Sequence, residues 1–83
     1  MFFVYILQSL EYNRFYTGVT QDLEKRIKKH NNGLSKSTKP YRPWVLIYIE
    51  KFNDKKIAYK REYYLKQPSG YKNKLKIIEQ YKK

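Results

Sequence analysis

Two runs of almost unbroken apolar character, residues 2–8 and 44–49, constrain the fold of this chain more than any other feature. A strand with one wet face reads as apolar and polar by turns, whereas a run of β-branched and aromatic residues without that alternation suits a strand covered on both faces. Residues 2–8 therefore predict an internal strand, and residues 44–49 a further strand beside it or in the sheet centre. The chain has 83 residues, below the usual size of one domain, so the cover must come from the same short sequence. Ten Tyr, four Phe and one Trp supply the bulk for it, since each buried ring removes roughly 150 to 250 Å² from water. We expect one domain over residues 1–83.

Residues 14–19 again favour β structure, and the polar stretch 9–13 before them makes a hairpin with the first strand. Gly18, near the end of the second strand, leaves room for a close approach to the backbone. Thr20 is a good N-cap, Asp22 and Glu24 stand in the first turn, Lys25 to His30 load the last turns with positive charge, and Asn32-Gly33 closes the helix. Leu23, Ile27 and His30 share an arc of roughly 60° on that helix, with Leu34 continuing the line and Arg26 at its margin. Residues 34–42 read as an irregular basic loop, interrupted by Pro40 and followed by Pro43. Asn53-Asp54 caps a second helix to about residue 67, stopped by Pro68, and a third starts at Ser69 or Gly70 and runs to the terminus. The element order is ββαβαα, an α+β chain.

Nineteen Lys and Arg against seven Asp and Glu leave a net charge of +12 on this small surface. A polyanion is the expected partner, nucleic acid foremost, although ribosome-associated and membrane-surface proteins share this balance. Without cysteine there are no disulfides and no Cys-based zinc site, and His30 is the single imidazole, so a metal would be held mainly by oxygen. The first residues lack a basic lead-in and are too short an apolar run for a signal segment or a membrane span. The expectation is a cytoplasmic, soluble protein without membrane attachment, monomeric in solution.

Phe3-Val4-Tyr5 followed by Tyr16-Thr17-Gly18 resembles the paired tripeptides of the GIY-YIG nuclease superfamily, with Phe3 in place of the first glycine. Arg26 ten residues after Tyr16, His30 one turn later, Asn31-Asn32-Gly33, then Ala58, Arg61-Glu62 and Leu65-Lys66 extend the likeness over most of the chain. It is similar in length and pattern to the small stand-alone members, which are related to the amino-terminal nuclease domain of a DNA excinuclease. The resemblance implies a small three-stranded antiparallel sheet with flanking helices, a shallow site on one face, and one divalent cation, Mg²⁺ or Mn²⁺. It implies an endonuclease cleaving DNA, in repair or recombination. Carried onto this sequence, it gives Tyr16 the activation of water, Arg26 the phosphate charge and Glu62 the metal, with Tyr5 and His30 in support. Two departures stand out. A lysine of some relatives is Val19 here, and an asparagine of others falls near Asn73 and Lys74 without a secure match.

The chemistry can be read independently of the family. Phosphodiester hydrolysis needs an activated nucleophile, charge on the non-bridging oxygens and help for the leaving oxygen, and one hard cation can serve two of these roles. Such a cation keeps most of its waters, so a lone carboxylate, Glu62, suffices. Tyrosine, with an ordinary pKa near 10, is a poor base at neutral pH and needs positive charge nearby. Glu62 lies some 40° outside the apolar arc of its helix, at the edge where a side chain can reach a site while the helix packs. Arg61 falls inside that arc, which means a buried pair or a stem that snorkels outward. His30 is open between a helix-terminal cation and a site group, and Lys36, Lys39 and Arg42 between phosphate contacts and plain surface charge; Lys66 joins the nucleic-acid contacts. The alternative to an enzyme is a non-catalytic module that keeps the fold and binds DNA or RNA.

Overall fold

The computed structural model describes residues 1–81. In chain order these are strands β1 (Phe2–Ser9) and β2 (Phe15–Thr20), helix α1 (Leu23–Asn31), strand β3 (Trp44–Phe52) and helices α2 (Lys55–Lys66) and α3 (Pro68–Tyr81). The sheet order is β2-β1-β3, with both pairings antiparallel. The unbroken apolar run thus sits in the middle. Val4, Tyr5, Ile6 and Leu7 are all 0% exposed, because successive side chains enter opposite faces and both faces are covered.

Two small cores result. Tyr5, Leu7 and Trp44 pack with Tyr16, Leu23 and Ile27 on the α1 face, and Val4, Val19, Ala58 and Leu65 pack with Phe52, Tyr64 and Ile77 beneath α2 and α3. β3 lies beside β1 as an edge strand and is less covered than its composition suggests, with Val45 and Ile49 each 39% exposed. Its register slips between Ile6↔Tyr48 and Leu7↔Leu46, which leaves Ile47 as the extra residue of a bulge.

Several boundaries differ from the sequence expectation. The N-cap of α1 is Asp22, whose Oδ1 accepts from the Lys25 amide at 3.1 Å. Thr20 acts one step earlier, accepting from the Asp22 amide at 3.1 Å, so the two capping residues divide one turn between them. Leu34 does not extend the apolar stripe: the chain turns at Gly33, φ +76°, and leaves Leu34 70% exposed. The basic loop contains a short 3-10 turn, Lys39–Tyr41, with Pro40 in its first turn, where no backbone N–H is required. Pro68 itself begins α3, ahead of Ser69 and Gly70, for the same reason. The last two positions of the expected third helix lie outside the described residues.

Candidate active site

β1 and β2 carry their tyrosines onto the α1 face. Tyr5 pairs with Gly18 across the strands and Leu7 with Tyr16, so the two phenol rings lean together with centroids 6.2 Å apart. Gly18 is required by this approach. A Cβ there would stand 2.6 Å from the Tyr5 hydroxyl and 3.0 Å from Cε2 of Tyr16, closer than side-chain atoms tolerate.

His30, at the end of α1, completes the group. Its ring lies 4.7 Å from that of Tyr16, its Nε2 is 3.1 Å from the Tyr5 hydroxyl, and its Nδ1 is 2.9 Å from the hydroxyl of Thr38. The proton positions follow from Thr38, whose single hydroxyl proton is given to the Ser35 carbonyl at 3.3 Å. Thr38 therefore accepts at its oxygen, His30 carries its proton on Nδ1, and Nε2 accepts from the Tyr5 O–H. Burial lowers the His30 pKa, and the cationic Arg26 and Lys29 lower it further, so the ring is neutral. This resolves His30 as a buried member of the cluster, 1% exposed, and not as a helix-terminal cation. Tyr5 is held well above its ordinary pKa, first by burial and then by Tyr16, with Glu62 adding and Arg26 opposing. It stays protonated.

α2 closes the other side. The Lys66 ammonium stands 5.7 Å above the Tyr16 ring and 3.4 Å from the Glu62 carboxylate, whose side chain is 18% exposed. Tyr5, Tyr16, Arg26, His30, Glu62 and Lys66 are thereby gathered at one edge of the sheet, contributed by four elements. Half-buried Arg26 makes no ion pair with a carboxylate among the described residues. Among the described residues no three His, Asp or Glu side chains cluster as a metal cage would need, and Glu62 is a carboxylate whose charge acts on Tyr5.

The basic loop meets this cluster through Thr38. Lys36 and Lys39 are exposed. Arg42 folds back across the end of α1, its Nε donating to the Lys39 carbonyl at 3.0 Å and a terminal nitrogen to the Asn31 carbonyl at 3.5 Å. It is part of the helix terminus as well as surface charge.

Some participants carried no sequence signal. Thr38, in the polar loop, is 1% exposed, and its carbonyl accepts from the Trp44 indole at 2.9 Å. Asn31 clamps the start of β3 through both amide atoms, accepting from the Trp44 amide at 2.7 Å and donating to the Trp44 carbonyl at 3.1 Å. Lys74 of α3 is half-buried, its pKa lowered by burial and then by Lys66. Asn73 points elsewhere and donates to the Tyr64 hydroxyl at 2.7 Å. Arg61 proves to be a pair: it grips Glu50 with two bonds of 2.8 and 2.9 Å and stacks over Tyr64, away from the tyrosine cluster. Burial pushes the Glu50 carboxyl up, but the bonds from Arg61 and Tyr48 outweigh it and the net shift is downward.

A small antiparallel sheet, with paired tyrosines on adjacent strands and an arginine and a glutamate brought in by successive helices, is the frame of a nuclease class. Residues 1–76 match the GIY-YIG catalytic domain, and the chain belongs to that nuclease family. It is similar to small stand-alone members of the family. It is 47% identical over 79 residues to a UPF0213 protein of Staphylococcus saprophyticus, covering 94% of each chain. It is 42% identical over 78 residues to the UPF0213 protein YazA of Bacillus subtilis, covering 93% of this chain and 78% of that one. The solution NMR structure of a UPF0213 protein from Bacillus halodurans superposes with a TM-score of 0.58 at 34% identity, covering 98% of this chain and 87% of that one. Among the described residues, no helix is long and apolar enough to cross a membrane.

Proposed function

We propose that this protein is a metal-dependent endonuclease that hydrolyses phosphodiester bonds of DNA, serving repair or recombination. The observation that carries the reading is the packing of Tyr16, Glu62 and Lys66 around the buried Tyr5–His30 pair, with Arg26 near enough to act on both members of that pair, in a chain of net charge +12. The lone carboxylate of Glu62 fits Mg²⁺ or Mn²⁺, which retain water and need few protein ligands. It does not fit an all-protein cage. When bound, such a cation supplies positive charge to the non-bridging oxygens and eases deprotonation of a nearby water.

The remaining chemistry falls to the side chains. Arg26, without a carboxylate partner among the described residues, can hold a phosphate oxygen and stabilise the charge that builds there as water attacks. Lys66, 46% exposed, can exchange Glu62 for phosphate when substrate arrives. Tyr16, flanked by the Lys66 ammonium, takes or relays the proton of the attacking water as the new oxygen–phosphorus bond forms and the bond to the leaving oxygen breaks. Tyr5 keeps its proton in the bond to His30 and fixes the position of Tyr16, so it positions and does not itself act as the base.

The Lys66–Glu62 pair favours the second reading, a binding module without turnover, because it occupies the one carboxylate a cation would use. Incubation with plasmid, single-stranded, flap and junction DNAs, in Mg²⁺, in Mn²⁺ and in chelator, separates the two. Cleavage in metal and none in chelator is the expected result. Binding without cleavage of any substrate in either metal would leave only the module.

A further inference from the structure

The exposed face of α2 bears a feature that the site chemistry does not use. Tyr59 and Tyr63 are 46% and 66% exposed, and neither ring stacks on another side chain among the described residues. Single exposed aromatics are ordinary. These two stand one helical turn apart, about 6 Å along the axis, roughly 100° to 160° round the helix from the residues, Ala58 and Leu65, through which it packs onto the sheet. At about 100° per residue, Lys55, Tyr59, Glu62, Tyr63 and Lys66 fall within an arc of roughly 100°. The two rings therefore continue the surface on which Glu62 and Lys66 meet Tyr16.

We propose that this stripe is a stacking platform for unpaired nucleotides of the substrate strand next to the phosphate held at Tyr16 and Glu62. Tyrosine rings offer faces on which bases of any identity stack, and Lys55, Lys56 and Lys60, all exposed, flank the rings with charge for the accompanying phosphates. A duplex keeps its bases inside the stack, so the rings cannot reach them there. The platform thus selects flaps, gaps or single strands over continuous duplex. Net charge alone would attract both, the duplex with its denser phosphates the more strongly, and the aromatic pair is what favours the unpaired strand. The inference rests on the nucleic-acid reading above but not on turnover.

The test is binding, in chelator, of a labelled oligothymidylate and of the same strand annealed to its oligoadenylate complement, by fluorescence anisotropy. Wild type is compared with Tyr59→Ala/Tyr63→Ala and with Tyr59→Phe/Tyr63→Phe, which keeps the faces. Losing stacked bases should weaken single-strand binding by about tenfold or more, with duplex binding changed by less than about threefold. The Phe variant should stay within about twofold of wild type on both. Equal losses on both probes, or no loss on the single strand, would overturn the platform, as would wild type that binds neither probe. Wild type that binds the single strand but cleaves nothing would remove the nuclease reading alone, and the ratio between probes would still decide the platform.

Discussion

Replacing Thr38 by Val tests the internal logic of the tyrosine cluster without touching either tyrosine. Valine preserves the shape and deletes the hydroxyl that accepts from His30 at 2.9 Å and donates to Ser35 at 3.3 Å. The Nδ1 proton of His30 is then left in a region where the ring is 1% exposed, too enclosed for solvent to replace the lost partner. Orphaning one buried polar group costs about 1 to 3 kcal/mol. A domain of this length holds roughly 4 to 12 kcal/mol in total, so the change removes a large share. In a domain of about 60 to 100 residues each kcal/mol moves Tm by about 4 to 8 °C, which gives a drop of roughly 4 to 24 °C in a circular dichroism melt. Thr38→Ser keeps the hydroxyl and should recover most of the loss. A second readout is the His30 tautomer by nitrogen NMR: proton on Nδ1 in wild type, mixed in the valine variant. Thr38→Val melting within about 2 °C of wild type, with the tautomer unchanged, would refute the assigned chain of donors.

Three further outcomes follow from the same geometry. Because the folded protein binds the His30 proton less readily than the unfolded chain, whose pKa is near 6.5, stability should be full above about pH 7 and fall as pH drops through that value toward the lower folded pKa. Urea midpoints across this window check it, and a flat or rising profile on acidification contradicts it. Gly18→Ala should destabilise by about 1 to 3 kcal/mol in urea unfolding, since its Cβ would lie 2.6 Å from the hydroxyl of Tyr5, which is 0% exposed; an unchanged midpoint would mean that the tyrosine pair packs loosely. Lys36→Ala and Lys39→Ala should each shallow the salt dependence of DNA binding by about 0.9 in log–log slope without altering the melt, whereas Arg42→Ala should also lower Tm because it bonds the end of α1.

How much of this was legible in the sequence varied with the range of the interaction. The 2–8 run announced an internal strand because, Gln8 apart, it carries no strongly polar side chain for a wet face, and Asp54 announced α2 as the sole capping acid at its start. Sequence alone places the α1 cap at Thr20, two residues early, because Thr20 and Asp22 both cap well; only the chain path assigns the helix to Asp22. Leu34 misled because a periodic residue beyond a left-handed glycine no longer shares the helix axis. The buried pair allowed for Arg61 was foreseeable in kind but not in partner, since Glu50 lies eleven residues away on β3. Tyr16, Arg26 and Glu62 were singled out by family pattern. The bond that orders their surroundings, Tyr5 to His30, spans twenty-five residues and depends on how α1 returns to the sheet. Thr38 was invisible because nothing in a polar loop marks the one hydroxyl that Trp44 and His30 enclose.

The central proposal is that Glu62 and Tyr16 serve phosphodiester hydrolysis, and single-turnover cleavage by Glu62→Gln, run beside Tyr16→Phe on the best substrate of the wild type, tests it most directly. Each variant keeps the shape of the residue it replaces, so fold and DNA binding should be retained, with Glu62→Gln binding slightly more tightly in chelator because a negative charge facing phosphate is gone. The metal-stimulated rate should fall by about 10² or more in both, the lower end of what acid–base chemistry contributes. Cleavage by both variants at the wild-type rate, with DNA binding intact, would contradict the assignment.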